Sequence, residues 1–166
     1  MALPPVDPDT DHVRGDGPRT LLLYGDYEDP RSRDAYRIAQ ALEAGRTPLR
    51  LCFRHLPDDE RHPDALRAAV AAEAAHDQGR FWDMHDMLFT GQSALDKASL
   101  RSYAATLGLD VERFTREFAS DAQLARITED VRGALQAGAR STPALFVDGT
   151  LLAAHDFDTV LAALTA

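Results

Sequence analysis

An apolar run followed directly by a helix start is the feature that most limits how this chain can fold. The run "RTLLLYG", residues 19–25, is apolar through its centre, which predicts a strand buried on both faces. Asp29 then stands where a helix N-cap is expected, and Pro30 takes the first helical position, where its missing N–H does no harm. The helix is predicted to run to about Ala44 and to stop at Gly45.

A second apolar run follows this helix. The segment "TPLRLCFRHLP", residues 47–57, predicts another buried strand that ends at Pro57. Strand, helix and strand in this order predict a parallel pair joined by a right-handed crossover. The first strand would then deliver Asp29-Pro30-Arg31-Ser32 to a helix N-terminus, where backbone N–H groups and the helix dipole favour negative charge.

Helical patterns fill the middle of the chain, and β patterns return near its end. Residues from about 63 to 138 predict several amphipathic helices, one of them capped by Asp110 and another opened by a capping box of Ser120 and Gln123. The segment "PALFVDGTLLAA" predicts a hairpin that turns at Asp148-Gly149. A last helix is predicted in "DFDTVLAALTA", capped by Asp156 or Asp158.

Composition limits the classes of protein to which the chain can belong. Its 166 residues predict one domain, residues 19–166, preceded by a flexible lead-in over residues 1–18 that is rich in Pro and Asp. A net charge of −9 argues against a nucleic-acid partner. The lead-in has no apolar core of a signal peptide or membrane segment, which predicts a cytoplasmic protein without membrane insertion.

Four motifs in order resemble the DsbA-like branch of the thioredoxin superfamily. "LLLYGDYEDPRS" looks like the strand and C-P-x-C redox loop of that family, and "FRHLP" is similar to the end of its second strand. "FWDMHDMLF" resembles a helix of its helical insertion, and "STPALFVDG" resembles its Thr-Pro strand. A similar domain occurs attached to sodium/proton antiporters of the NhaA type. The resemblance implies an α/β thioredoxin-like fold with an all-helical insertion, and a cis bond between Thr142 and Pro143 beside Asp29 to Ser32.

The redox residues of that family are missing from this chain. On the resemblance, Asp29 stands at the position of the nucleophilic cysteine and Ser32 at that of the resolving cysteine. Thiol–disulfide exchange needs a thiolate and a second thiol, so a dithiol oxidoreductase is not expected, and no catalytic residue is assigned. The single cysteine, Cys52, excludes an intrachain disulfide and lies in a segment that predicts a buried, inert thiol.

Two classes of function remain open at this stage. In the first, a peptide or protein partner binds in a groove formed by Tyr27, Pro30, Arg31, Thr142 and Pro143, while Asp29 only caps the helix. In the second, Asp29 and Ser32 carry out non-thiol chemistry, as in a glutathione-dependent isomerase or transferase. Related glutathione enzymes use a serine where this chain has Asp29, whose charge would oppose a glutathione thiolate. A family-type thiol–disulfide oxidoreductase is the remaining alternative.

Histidines are the remaining candidates for metal binding. His55, His62, His76 and His85 lie close in sequence, but no pair has the i, i+4 spacing of a helical metal site, and no cysteine accompanies them. His85 shares an apolar stripe with Phe81, which is typical of a buried side chain. We therefore expect neither a metal site nor a cofactor.

Overall fold

A central sheet and a set of helices make up the computed structural model, which describes residues 2–166. Within that range there are five strands and seven helices. In chain order they are β1 (His12–Arg14), β2 (Arg19–Gly25), α1 (Pro30–Ala44), β3 (Leu49–His55), α2 (Ala65–His76), α3 (Phe81–Thr90), α4 (Lys97–Thr106), α5 (Val111–Phe118), α6 (Leu124–Gln136), β4 (Ala144–Val147), β5 (Thr150–Leu151) and α7 (Phe157–Thr165). The predicted order of β-α-β, a helical block and β-β-α is confirmed.

The strands form one mixed sheet in the order β1-β3-β2-β4-β5. Strands β2 and β3 are parallel, with Leu21 paired to Leu51, whereas the other neighbours are antiparallel. Helix α1 connects the parallel pair, as the β-α-β pattern predicts. The central position of β2 places its carboxyl end, and therefore the start of α1, next to the beginning of β4.

Both faces of the sheet are buried, which explains the uninterrupted apolar run of β2. Leu21 and Leu23 face a large core shared with α1, α7 and the helical block, while Leu22 faces a smaller core that includes Ala134 of α6. Cys52 of β3 lies in this second core and is 0% exposed. Because side chains alternate along a strand, the residues from Leu21 to Tyr24 belong by turns to one core and the other.

The helical block packs through small residues of α2 and large residues of its neighbours. Ala68 and Ala72 of α2 are fully buried in the same core as Leu88, Leu100 and Phe114, which come from α3, α4 and α5. Small side chains allow these helices to approach closely. None of the helices found among residues 2–166 is both long and apolar enough to cross a membrane.

The structure corrects two local predictions. His12–Arg14, which lie within the predicted lead-in, form the edge strand β1 and pair with β3. A run of three residues among Pro, Asp and Gly is too short to show a strand periodicity. The capping box also fails, because α6 begins at Leu124 and Gln123 holds the N-cap position without a side-chain cap. The Ser120 hydroxyl instead donates to the carbonyl of Glu117 at 2.9 Å, which closes a turn.

Candidate functional site

Asp29 is the N-cap of α1 and follows the carboxyl end of β2. Its backbone is extended, and its Oδ1 accepts a hydrogen bond from the N–H of Arg31 at 3.0 Å. Pro30 occupies the first helical position, so the predicted helix start is confirmed. The chain therefore places its own carboxylate where a helix N-terminus would attract an anion.

Both oxygens of the Asp29 carboxylate are hydrogen-bonded. Thr142 Oγ1 donates to Oδ2 at 2.8 Å, and Ser32 Oγ donates to the same oxygen at 3.3 Å. Arg31 Nε lies 3.3 Å from Oδ1. The Asp29 side chain is only 2% exposed, so the carboxylate is enclosed by its own donors and has no open side toward a substrate.

The pKa of Asp29 lies below its ordinary value of 3.8. Burial alone would raise this pKa, but hydrogen bonds from Thr142 and Arg31, together with the charge of Arg31, outweigh it. Asp29 is therefore ionised at neutral pH and has no proton to donate. Its oxygens are occupied by other donors, which also makes it a poor general base.

Ser32 is equally enclosed. Ser32 is 0% exposed. Its hydroxyl donates a hydrogen bond to Asp29, and the same oxygen accepts one from the backbone N–H of Asp26 at 3.2 Å. Both bonding functions of the hydroxyl are used inside the protein. Asp29 and Ser32 thus hold the β2–α1 loop together.

A groove lies beside this loop, on the side of β4. It has a volume of about 330 Å³, and the Thr142–Pro143 peptide bond on its border is cis. The residues that line it are Arg31, Asp34, Ala35, Ile38, Ser141, Thr142, Pro143 and His155. Charged, polar and apolar groups therefore all reach the same small space.

The structure brings together three of the five predicted groove residues: Arg31, Thr142 and Pro143. Tyr27 does not reach the groove, because it is 1% exposed and its hydroxyl lies 2.8 Å from His85 Nδ1 in the core. Pro30 is exposed but is not part of the groove wall. The alternation of β2 does not extend into the loop, so the direction of Tyr27 was not evident from sequence.

Five groove residues were not predicted from the sequence: Asp34, Ala35, Ile38, Ser141 and His155. Ile38 lies two turns into α1 on the face of Ala35, which helical periodicity could have suggested. Ser141 immediately precedes Thr142. His155 comes from the loop before α7, and the sequence gives no sign that this loop returns to α1.

Two side chains from other loops support the site. Gln92 donates through Nε2 to the carbonyls of Tyr27 and Asp29, at 2.7 and 3.0 Å. Asp26, which is 1% exposed, accepts from the N–H of Asp58 at 3.0 Å and lies 2.7 Å from His62 Nδ1. These contacts fix the loop that presents Asp29 by tying it to two neighbouring loops.

Cys52 takes no part in the site. The thiol is fully buried on β3, and burial raises its pKa far above the ordinary value. A thiol without thiolate character and without access to reagents is inert. Cys52, the single cysteine of the chain, thus has a structural role.

A larger cavity, of about 490 Å³, lies between the N-terminal segment and α6. Its basic residues are Arg54 and Arg126. Arg54 is bound by both oxygens of Asp11, at 2.8 and 2.7 Å, and Arg126 lies 2.8 Å from Asp11 and 3.1 Å from Asp130. Because these charges are already paired, the cavity offers no free cation to an anionic ligand.

One cluster has the ligand types of a metal centre. His12, His55 and Glu73 place a potential ligand atom each within 4.8 Å of one another, and all three residues are buried. Spacing along the chain indicates neither His12 nor Glu73 as a ligand. Their convergence depends on β1, β3 and α2 meeting in space.

Comparison with known proteins identifies the family. The family model described as thioredoxin matches residues 10–166. A thioredoxin-like oxidoreductase from Silicibacter pomeroyi is 26% identical and superimposes with a TM-score of 0.84, covering 96% of this chain and 92% of that one. BdbD from Bacillus subtilis is 19% identical with a TM-score of 0.81, covering 95% of this chain and 92% of that one. The second match shows a shared fold, which is the DsbA-like fold that the motifs predict.

Sequence comparison also matches parts of larger proteins. The Na(+)/H(+) antiporter NhaA 1 of Salinispora arenicola is 46% identical over 147 residues, which is 87% of this chain and 22% of the antiporter. The NhaA antiporter of Herminiimonas arsenicoxydans is 44% identical over 98% of this chain and 26% of its own length. The chain thus spans about a quarter of the antiporters that it resembles, and the similarity concerns that part of them.

Proposed function

Because the chain belongs to the thioredoxin family, we propose that it is a non-redox member that binds an extended peptide segment of a partner protein in the groove beside Thr142 and Pro143. The carboxylate of Asp29 carries this proposal. It is buried, ionised and bonded on both oxygens, and the family resemblance assigns it to the position of the nucleophilic cysteine. The family's chemistry is therefore lost while the neighbouring groove stays open.

The same contacts argue against the two enzymatic alternatives. A dithiol mechanism has no second thiol, and Cys52 is fully buried. A glutathione-dependent reaction would need Ser32 or Asp29 to approach a thiol, but Ser32 is 0% exposed and bonded to Asp29 and Asp26. An ionised carboxylate at this place would also repel a glutathione thiolate.

The groove has the chemistry to hold a short stretch of peptide. Ala35 and Ile38 supply apolar surface, and Arg31 and His155 supply polar groups at its rim. Burial and the nearby charge of Arg31 lower the pKa of His155, so its ring is neutral at neutral pH and can both donate and accept. A volume of about 330 Å³ suits one or two side chains of a ligand. We expect preference for an apolar side chain next to a carboxylate or carbonyl that meets Arg31.

Selection from a display library of random 12-residue peptides tests the proposal directly. The wild-type protein should enrich a sequence pattern, and a synthetic peptide of that pattern should bind in isothermal titration calorimetry. In Ser141→Trp a large ring fills the groove from an exposed position, and affinity should fall at least tenfold.

Ser102→Trp serves as the matched control, because Ser102 is exposed on α4 away from the groove. This variant should bind the selected peptide as the wild type does. The proposal fails if no pattern is enriched, or if Ser141→Trp binds as tightly as Ser102→Trp. Titration with reduced glutathione is run in parallel, and saturable binding that Ser141→Trp abolishes would favour the glutathione alternative.

A further inference from the structure

Three buried polar side chains from three different elements meet behind the sheet edge. His12 of β1 places Nε2 at 2.5 Å from Glu73 Oε1, and His55 at the end of β3 places Nε2 at 2.7 Å from the same oxygen. The exposed fractions of His12, His55 and Glu73 are 4%, 0% and 5%. Two imidazoles and a carboxylate thus converge on one point inside the protein.

The partners of Glu73 differ from those of most other buried carboxylates. Asp11, Asp29 and Asp130 are each paired with an arginine, and Asp26 lies against the half-buried His62. The ion pairs of Glu73 among residues 2–166 involve only the two histidine rings. A buried carboxylate is costly unless it is paired with a cation or coordinates a metal, so this one calls for a positive charge at the point of convergence.

The rings of the two histidines are held in fixed positions by aromatic neighbours. The ring of His12 stacks on Phe81, with centroids 3.5 Å apart and an angle of 6°. His55 meets Phe53 edge-on at 5.4 Å. An apolar shell of this kind controls the access of solvent to the ligands and lowers the local dielectric.

The cluster also has a route to solvent. A surface cavity of about 400 Å³ reaches His12 and is lined by His76 and Trp82 among others. His76 is exposed, and its ring centroid lies 4.7 Å from that of His12. It follows Glu73 by three residues on α2, so the two side chains share one face of the helix. A further imidazole therefore stands beside His12 at the entrance.

We propose that His12, His55 and Glu73 bind a divalent ion of the zinc type, with the fourth position taken by water or by His76. Imidazole nitrogens and a carboxylate oxygen are ligands that Zn²⁺ accepts in tetrahedral sites, with bonds of about 2.0–2.2 Å. Ligand atoms around such an ion lie about 3.3 Å apart, so the atoms that now touch need only separate by less than about 1 Å. The ion would join the edge strand β1 to β3 and α2. This site is separate from the groove and does not depend on the proposed function.

Metal titration of the tag-free, chelator-stripped protein tests the site. Titration with ZnCl₂ should show one ion per chain, and a saturating excess should raise the melting temperature by roughly 5 °C. Co²⁺ should give the visible absorption of a four-coordinate site with nitrogen and oxygen ligands. His12→Gln should lose the absorption and at least tenfold in affinity, and Glu73→Gln should do the same.

Two further variants complete the design. Ser102→Gln, a change at an exposed position of α4 outside the cluster, should bind as the wild type does. His76→Gln reports the fourth ligand: weaker binding assigns that position to His76, and unchanged binding assigns it to water. If Glu73→Gln does not fold, the affinity and spectrum of His12→Gln, a change on the edge strand, decide whether the cluster binds the ion. The proposal is overturned if the wild type binds no stoichiometric ion, or if His12→Gln retains the full affinity and spectrum.

Discussion

Thr142 Oγ1 donates a hydrogen bond of 2.8 Å to Asp29 Oδ2, across a separation of 113 residues in the chain. The bond joins the segment before β4 to the start of α1, and both residues are buried. A threonine hydroxyl next to an ionised carboxylate forms a charge-assisted bond, which is stronger than a neutral one. This contact makes Asp29 a structural link between two parts of the site as well as a helix cap.

Replacing Asp29 should therefore cost more than the loss of an ordinary cap. Asp29→Ala removes the acceptor of Arg31 N–H and leaves the Thr142 hydroxyl buried without a partner, so we expect a loss of about 2–3 kcal/mol of unfolding free energy. Thr142→Val should cost about 1 kcal/mol. Urea unfolding of the two single variants and the double variant gives the coupling between them. Strictly additive losses would contradict the link.

The lowered pKa of Asp29 predicts a defined pH dependence. Because its folded-state pKa lies below the ordinary 3.8, the unfolded chain takes up the proton first as pH falls. The stabilisation is present above about pH 5 and is lost as the pH drops through the folded-state value. In urea unfolding at a series of pH values, the stability advantage of the wild type over Asp29→Asn should shrink between pH 5 and pH 2. An advantage that stays constant would show that the carboxylate charge contributes nothing.

Local signals predicted much of the fold, and contacts distant in sequence explain what was missed. The Asp29 cap and the Asp148-Gly149 turn were predictable because each depends on neighbouring residues. The contact between Thr142 and Asp29 was accessible only through the family resemblance. The burial of Tyr27 depends on His85, which lies 58 residues further along the chain, and no local pattern encodes it.

The histidine and glutamate cluster shows the same limit. His12 lies on a strand of three residues, too short for a periodic pattern, and pairing with β3 alone brings it beside His55. Glu73 interrupts the alanine-rich face of α2, and its position there could have been noticed as a charge on a buried face. Spacing along the chain does not predict which side chains the packed elements bring together.

Cys52 should be unreactive in the folded protein. Its thiol is fully buried and its pKa is raised by burial, so Ellman's reagent should detect it only after denaturation. A cysteine introduced at the exposed position Ser102, as Ser102→Cys, should react at once and serves as the control. In the insulin assay the wild-type protein should show no reduction above background. Rapid labelling of Cys52 in the folded state would contradict the inert assignment.

His62 and Asp26 should stabilise the loop in a pH-dependent manner. Burial opposes protonation of His62, but its bond to Asp26 and the charge of that residue outweigh the effect and raise the pKa above the ordinary 6.5. The stabilisation is then complete below pH 6.5 and is lost as pH rises through the folded-state pKa. His62→Gln should lose less than about 1 kcal/mol at pH 6 and nothing at pH 9. In an Asp26→Asn background, the effect of His62→Gln on stability should no longer depend on pH. Equal losses of unfolding free energy in His62→Gln at pH 6 and pH 9 would contradict the predicted pH dependence.

The double substitution Asp29→Cys and Ser32→Cys tests whether this is a redox site that lacks only its sulfurs. The two side chains touch in the native protein, with 3.3 Å between Ser32 Oγ and Asp29 Oδ2, so two thiols should form a reversible disulfide. The thiol at position 29 should have a depressed pKa at the helix N-terminus and react below neutral pH. Some insulin-reducing activity should appear, with a loss of stability because the helix cap is removed.

A second helix start provides the matched control for that experiment. Asp110 caps α5 through the N–H of Arg113 at 2.9 Å, so Asp110→Cys with Arg113→Cys places two thiols at the same spacing far from the groove. Both pairs should be detected as disulfides by mass spectrometry and titrated against glutathione. Only the pair at 29 and 32 lies beside the groove that would hold a substrate strand, so only that pair should reduce insulin. Equal activity from both pairs would show that any helix start suffices. If the pair at 29 and 32 forms no bridge in a folded protein, Asp29 and Ser32 do not occupy the redox positions.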